Sequence, residues 1–394
     1  NKFFFSLLVF FLAFVVFSFR NIDALIYPFL YAEDGVWTGR LMTDGFVKTF
    51  TTAREFPILG FVILYQLGLW AANVFFAGEL SYLPLIYFVF SNIFMAALVV
   101  MTLNLFRGHI STLALFSILI AIMLFSVGGN GDEIFGRLLN LGFMMPFMQA
   151  LVVSSVYKEG GSWFKFLMAG IVSTISGLTF PIGIGVSLIA VFLIAYIAFI
   201  NPCKRKEAFS IAAILLISII VCLSLFSFDA FTSKGGADLP FNISGFIEFS
   251  LARSFVFPLV STFYKSLNDI VVIVLAFIVL TFLLVKFFEN FKSIKTHELA
   301  RILVYLWSVF GMYFLATVVM RNGLTVFFVD YSSSFPDRYF TGLNLLFITA
   351  FIATLDTIKS KFKNKIIVIT IVVPLIAAGF SVVRFAKPNL AWPN

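Results

Sequence analysis

The 394-residue chain is 61% hydrophobic and 12% charged, with a formal net charge of +8 at neutral pH, which excludes a soluble globular domain and a disordered segment alike. The lysine and arginine excess would point to nucleic acid in a soluble protein, but here it falls in short loops between apolar runs, as the positive-inside rule produces, so no nucleic-acid partner is expected. Cys203 lies in a basic loop and Cys222 inside an apolar run, so there is no disulfide framework, and His109 and His297 sit beside basic residues in loops, a poor setting for histidine catalysis or a histidine metal site.

In chain order, residues 3–19 form an apolar run long enough to span, preceded by Lys2 and followed by Arg20. The run lacks a small-residue cleavage site and precedes many others, so it reads as a retained first helix rather than a signal peptide. Residues 20–55 are the first polar stretch, in which Asp23, Glu33, Asp34, Arg40, Asp44, Lys48, Arg54 and Glu55 alternate with Tyr27, Tyr31, Trp37 and Phe46. That mixture predicts short helices in the membrane interface, with rings at headgroup depth and charges in water. A carboxylate costs ~2.5–3.5 kcal/mol at mid-bilayer on insertion scales, so the adjacent pair Glu33 and Asp34 belongs at the membrane boundary.

The later basic loops set the topology. Lys204, Arg205 and Lys206 form one cluster, Lys286, Lys292, Lys295 and Arg301 a second, and Lys359, Lys361, Lys363 and Lys365 a third. With all three in the cytoplasm, counting back through apolar runs near 182–200, 163–180, 139–157, 110–127 and 83–105 puts Asp132 and Glu133 outside and Arg107 inside. For Glu33 and Asp34 to be outside as well, residues 56–78 must be re-entrant or interfacial, and Gly60, Gln66 and Gly68 give that run the polarity and turns to do so. The expectation is an all-α polytopic transmembrane protein of about eleven spans, with a cytoplasmic N-terminus and an external C-terminus. It forms a single integral membrane domain over residues 1–394, with external loops at 20–55, 229–269 and 321–340.

A short glycine-rich external loop, residues 128–137, carries Asp132, Glu133 and Arg137. Beyond the run near 208–228, Ile247, Leu251 and Phe255 recur at helical spacing and predict an amphipathic helix carrying Arg253. The last external loop holds Asp330-Tyr331 and Asp337-Arg338-Tyr339-Phe340, and a final span is expected near 366–383. The external face therefore gathers acidic pairs and isolated arginines, while the cytoplasmic face carries lysines that topology alone explains. There is no P-loop, dinucleotide-binding glycine motif, HExxH or nucleophile elbow. An enzyme without these, facing away from cytosolic ATP and nucleotide sugars, needs an activated substrate delivered in the membrane.

Three stretches carry a resemblance: Tyr31-Ala32-Glu33-Asp34-Gly35 after the first span, Asn130-Gly131-Asp132-Glu133 before Asn140, and Asp337-Arg338-Tyr339 before a late span. Together they resemble the polytopic C-type glycosyltransferases, and the size and layout resemble the bacterial and phage O-antigen glucosyltransferases of serotype conversion. The resemblance covers most of the chain as layout and rests on short motifs. It implies transfer of a sugar, glucose by this resemblance, from a polyprenyl-phosphate donor to a lipid-linked or surface polysaccharide. The site would face the periplasm in a bacterial inner membrane, surrounded by membrane lipids. It also implies that an acidic residue of the first external loop is the base, Asp34 ahead of its neighbour Glu33. The chain has no large soluble C-terminal domain of the kind found in oligosaccharyltransferases, which weighs against a protein or peptide acceptor.

Chemistry assigns the remaining roles. A carboxylate within hydrogen-bond reach of the acceptor hydroxyl takes its proton as the oxygen attacks the anomeric carbon, and single displacement inverts the centre. The lipid phosphate leaves with negative charge that arginine matches by its planar fork, which nominates Arg338 first, with Arg253 and Arg137. Lys48 and Arg54 are supporting candidates that match no motif. Asp132 and Glu133 would contact the acceptor, and Trp37, Tyr31, Tyr339 and Tyr331 offer rings for sugars. No cofactor is required; Glu33, Asp34, Asp132 and Glu133 supply oxygen ligands for a divalent metal only if their two loops meet. The alternatives are a polysaccharide polymerase or ligase, which also uses external arginines, and a lipid-linked-sugar flippase or transporter, which would place ionisable residues inside its spans.

Overall fold

The computed structural model describes residues 2–30, 33–52, 57–124, 134–157, 163–200, 205–226, 246–260, 267–320, 338–360 and 362–369. Tyr31, Arg54, Glu55, Asp132, Glu133 and Tyr331 lie outside these residues, as do most of the expected 229–269 and 321–340 loops and all but the start of the expected final span. Of Arg338 only the backbone position is described.

The described residues form helices α1 (Lys2–Arg20), α2 (Ile22–Ile26), α3 (Glu33–Thr52), α4 (Leu59–Phe75), α5 (Leu83–Phe106) and α6 (Thr112–Leu124). There follow α7 (Met145–Val156), α8 (Trp163–Gly177), α9 (Ile182–Ile200), α10 (Arg205–Ser224) and α11 (Phe246–Val256), and then α12 (Asp269–Lys292), α13 (Glu298–Met320) and α14 (Arg338–Asp356). Seven of them, α1, α5, α9, α10, α12, α13 and α14, are long and apolar enough to cross a membrane, so the chain is a polytopic helical protein. The apolar window of α14 is 89% buried and those of α1 and α12 only 17%, which places α14 at the centre of the bundle and the other two at its rim.

Where the sequence predicts one span over 139–157, the structure has a tight 3-10 turn, Leu139–Phe143, followed by the shorter helix α7. Two features impose the break. Pro146 belongs in a first helical turn, where its missing N–H costs nothing, and Gly142 lies so close to the Phe61 ring that any side chain there would collide with it. The predicted helix over Ile247, Leu251 and Phe255 forms as α11, wound in wide i→i+5 turns, and Ala252, Phe255 and Val256 bury it in the bundle.

Side-chain contacts sort the helix ends into two groups. Helices α1 and α5 run antiparallel: Ser6 Oγ donates to Asn104 Oδ1 at 3.3 Å, and Asn92 Nδ2 donates to Ser18 Oγ at 3.3 Å. At one end of the bundle Arg107 lies over the Phe5 ring, Ser111 bonds to Asp356, His109 lies 3.7 Å from Glu298, and Tyr196 stacks on Phe291. That end carries Lys2, Arg107, Lys206, Lys286, Lys292, Lys295, Arg301, Lys359, Lys363 and Lys365. The opposite end carries α2, α3 and α4, the start of α5, residues 134–143, the 178–181 turn and the start of α14. Helix α4 begins there, with Leu59 N–H on Leu178 O at 3.1 Å, and finishes there, where Phe76 stacks on Tyr82 at 4.3 Å. It therefore lies across that end of the bundle.

Candidate active site around Asp34

The acidic pair opens α3, where carboxylates complement the positive end of the helix dipole. Glu33 is half-buried, whereas Asp34 is turned inward and only 2% exposed. A buried carboxylate needs donors, and the next two elements supply them. The Tyr65 hydroxyl, from the middle of α4, donates to Asp34 Oδ1 at 2.7 Å, and the Leu139 backbone N–H, at the head of the 3-10 turn, donates to the same oxygen at 3.0 Å. Among the described residues Oδ2 makes no hydrogen bond. Thr38 ties the backbone in as well, its hydroxyl donating to Asp34 O at 2.6 Å and lying 2.8 Å from the Tyr87 hydroxyl.

Burial pushes the Asp34 carboxyl up to about 6, against the opposing pull of the Tyr65 and Leu139 hydrogen bonds and the positive charge of Arg137; the charge of Glu33 adds to the rise. Arg137 is itself 5% exposed. One Nη donates to Phe29 O at 3.1 Å, and the guanidinium lies over the Phe29 ring at 4.3 Å. Gly136, with φ +72°, turns the chain beside the Phe88 ring, where a Cβ would meet ring carbon at 2.5 Å. The end of α1 fixes the same turn, with Asn21 Nδ2 donating to Phe135 O at 2.7 Å and the Arg20 guanidinium over the Phe135 ring at 3.9 Å.

The far end of the 3-10 turn reaches α14. Phe143 meets Tyr339 edge to face at 5.1 Å, its carbonyl accepts from the Tyr313 hydroxyl at 2.7 Å, and Gly342 packs directly on that carbonyl. One five-residue turn thus connects Asp34 to the start of α14, where Arg338 lies.

Of the residues nominated from sequence, Asp34, Glu33 and Arg137 come together, and Tyr339 stands at the other end of the turn. Arg253 belongs elsewhere: it is buried in α11 with its guanidinium over Phe257 at 4.4 Å, and it is not among the charges acting on Asp34. Trp37 is buried, and Arg40 lies over its ring at 5.0 Å, so that face is already covered. Lys48 lies past a break in α3 at Gly45 and pairs with Asp44 at 3.0 Å on the surface. Among the described residues no group of three His, Cys, Asp or Glu side chains gathers as a metal site.

Sequence reasoning missed Tyr65 and the Leu139 N–H. The signal for Tyr65 was its position beside Gln66 in the run 56–78, whose topology was already irregular; a backbone donor leaves no mark in a sequence. Away from Asp34, an apolar groove of about 840 Å³ lies between α9, α11, α12 and α13, lined by Leu251, Phe255, Leu283, Phe287, Phe310 and Phe314. Leu251 and Phe255 flank Arg253 in the chain.

The arrangement at Asp34 is a proton acceptor with one oxygen held by the scaffold and the other uncommitted, ionised above about pH 6, beside a guanidinium. No family model, curated protein or solved structure matches the chain.

Proposed function

We propose that the protein is a membrane glycosyltransferase that moves a sugar from a polyprenyl-phosphate donor to a hydroxyl group of a surface or lipid-linked polysaccharide. One observation carries the reading: Asp34 is a buried carboxylate with Oδ1 held by two donors and Oδ2 unbonded among the described residues, pushed up to about 6, the range in which a general base works near neutral pH. In the reaction, Oδ2 takes the acceptor hydroxyl's proton while that oxygen bonds to the anomeric carbon. The bond from the anomeric carbon to the phosphate oxygen breaks, its electron pair stays on the lipid phosphate, and the centre inverts.

Arg137 supplies positive charge beside the base, and Arg338 is the first residue of α14, which the 139–143 turn joins to Asp34. A guanidinium matches phosphate oxygens in both charge and shape. The apolar groove beside Arg253 suits an isoprenoid chain, since its walls are almost wholly apolar, with Ser308 the one hydroxyl among the side chains that line it. The basic end of the bundle is the cytoplasmic end by the positive-inside rule, which puts Asp34 on the external face, the periplasmic face of a bacterial inner membrane. Helix α4, lying across that end, does not count as a crossing in this topology.

The test is transfer from a polyprenyl-phosphate sugar to polysaccharide by purified protein. Asp34→Asn keeps both hydrogen bonds to Oδ1 and removes the proton acceptor, so turnover should fall at least about 100-fold while lipid-donor binding persists. Undiminished turnover in Asp34→Asn and in Glu33→Gln would reject the transferase reading, and loss in Glu33→Gln alone would move the base to Glu33.

A further inference from the structure

We infer that Tyr65 is a positioning residue of this site: with the Leu139 N–H it ties one oxygen of Asp34 to the scaffold, fixes the plane of the carboxylate and so sets the position of the unbonded oxygen that takes the proton. The inference rests on the transferase reading for the source of that proton, while the pinning itself belongs to the carboxylate. The two oxygens of an aspartate exchange by a half-turn of the terminal torsion. The half-turn restores an identical arrangement because the two oxygens are equivalent, but every rotation short of it would break both the 2.7 Å bond to Tyr65 and the 3.0 Å bond to Leu139 at a buried site, so the plane of the carboxylate is held against the cost of leaving buried groups unpaired.

Tyr65 is placed to do this. Its side chain is fully buried, its ring stacks on Phe61 at 6.4 Å and leans on Tyr87 at 5.4 Å, and one turn further along α4 Gly68 leaves room for the Tyr87 ring, which any Cβ would strike. Tyr87 in turn meets the Thr38 hydroxyl that holds the Asp34 carbonyl. Side chain and backbone of Asp34 are thereby held from one pair of touching rings.

The groups facing the carboxylate are Glu33 on its own helix, Tyr65 from α4, Tyr87 from α5, and Arg137 with the Leu139 N–H from the 134–139 segment. Of these, Tyr65 is the side chain that donates directly to Asp34. A hydrogen bond made to the ionised form favours that form, so removing the phenol oxygen should make Asp34 harder to ionise and loosen the plane of its carboxylate. A residue that merely filled space would leave the titration unchanged.

The experiment is an infrared titration of the purified full-length protein, following the protonated-carboxyl stretch that disappears in Asp34→Asn. Wild type should titrate near pH 6, and Tyr65→Phe at least about one pH unit higher. The acid limb of kcat/KM should move by the same amount, with part of the lost rate recovered at high pH. A 3-fluorotyrosine at position 65, a stronger donor of nearly the same shape, should move the midpoint the other way. An unshifted midpoint in both variants would reduce Tyr65 to a packing residue, whatever the enzyme does. A shifted midpoint in a protein that transfers no sugar would leave the pinning intact and reject the transferase reading.

Discussion

Asp34 and Asp356 sit at opposite ends of the same bundle and are bonded in opposite ways. Asp356, at the end of α14, uses both oxygens: the Ser111 N–H donates to Oδ2 at 2.7 Å, the Ser111 hydroxyl to Oδ1 at 2.7 Å, and Lys363 Nζ to Oδ1 at 3.3 Å. It fastens the 107–111 loop, and through Ser111 the first turn of α6, to the central helix. Asp34 accepts both of its hydrogen bonds on one oxygen, and nothing among the described residues occupies the other. A carboxylate with both oxygens bonded holds a fold together. One kept buried with an oxygen to spare lowers stability, a cost that fits the proposed role of Asp34 as a base.

The sharpest way to break this contrast is all-or-none. In a Cys203→Ser, Cys222→Ser background, an impermeant thiol reagent applied to intact cells should label Gly35→Cys and leave Lys359→Cys untouched. Labelling of both or of neither would undo the assignment of the two ends to opposite faces of the membrane.

Next in size is the paired substitution to asparagine. Asp34→Asn should abolish nearly all transfer, about 100-fold or more, with the fold intact. Asp356→Asn should leave turnover per folded molecule near wild type and lower stability by about 1–3 kcal/mol, because charge-assisted bonds to Lys363 and Ser111 weaken. Thermal unfolding beside the transfer assay separates the two. A large loss of turnover in Asp356→Asn would show that the far end is not simply a fastener.

Arginine-to-lysine substitutions sharpen the picture of the proposed donor contacts. Arg137→Lys should lower turnover by about 10²-fold, since a point charge cannot keep the planar contact over Phe29 and the bond to Phe29 O while facing a phosphate. Arg338→Lys should cost most of the activity as well, and Arg253→Lys should mainly weaken donor binding. Donor affinity and turnover measured for all three would reorder these roles if Arg253 proved to be the one limiting turnover.

A further effect concerns pH. The Asp34 carboxyl titrates near 6 when folded and near 3.8 when unfolded, so between those values the folded state binds more protons and stability falls as pH rises, levelling off above about 6. Integrated, the penalty at neutral pH is on the order of 3 kcal/mol. Asp34→Asn should therefore raise the unfolding temperature at pH 7.5 and have little effect at pH 4. Over the same range the wild-type rate should climb through pH 6 to a plateau. A variant no more stable than wild type at pH 7.5 would mean the carboxylate is better solvated than its surroundings indicate.

Much of this was open to a reader of the sequence. The apolar runs marked the helices, the acidic pair pointed to the buried Asp34, and the placing of Arg137 at the same end of the bundle as Glu33 and Asp34 followed from counting basic clusters. What escaped were contacts that span the chain without a pattern. Ser111 and Asp356 are 245 residues apart, and neither is unusual in its own neighbourhood. Tyr65 read as one more aromatic in an apolar run, because only the folded position of α4 turns its hydroxyl toward Asp34. The expected single span over 139–157 failed for a local reason: hydropathy averages across Gly142 and Pro146, whereas the backbone breaks there.

The bond between the Leu139 N–H and Asp34 spans 105 residues, and this orders events during synthesis. Chains fold from the N-terminus as they are made, so α3 exists well before the turn that completes its carboxylate's surroundings. Until that turn is made, Asp34 has only water and the Tyr65 hydroxyl for donors, which keeps α3 at a polar boundary while the helices between them are made. The arrival of residues 134–143 then draws the aspartate under cover, so the machinery that inserts this protein meets a charged, wet segment that becomes a closed site only after about a third of the chain has been built.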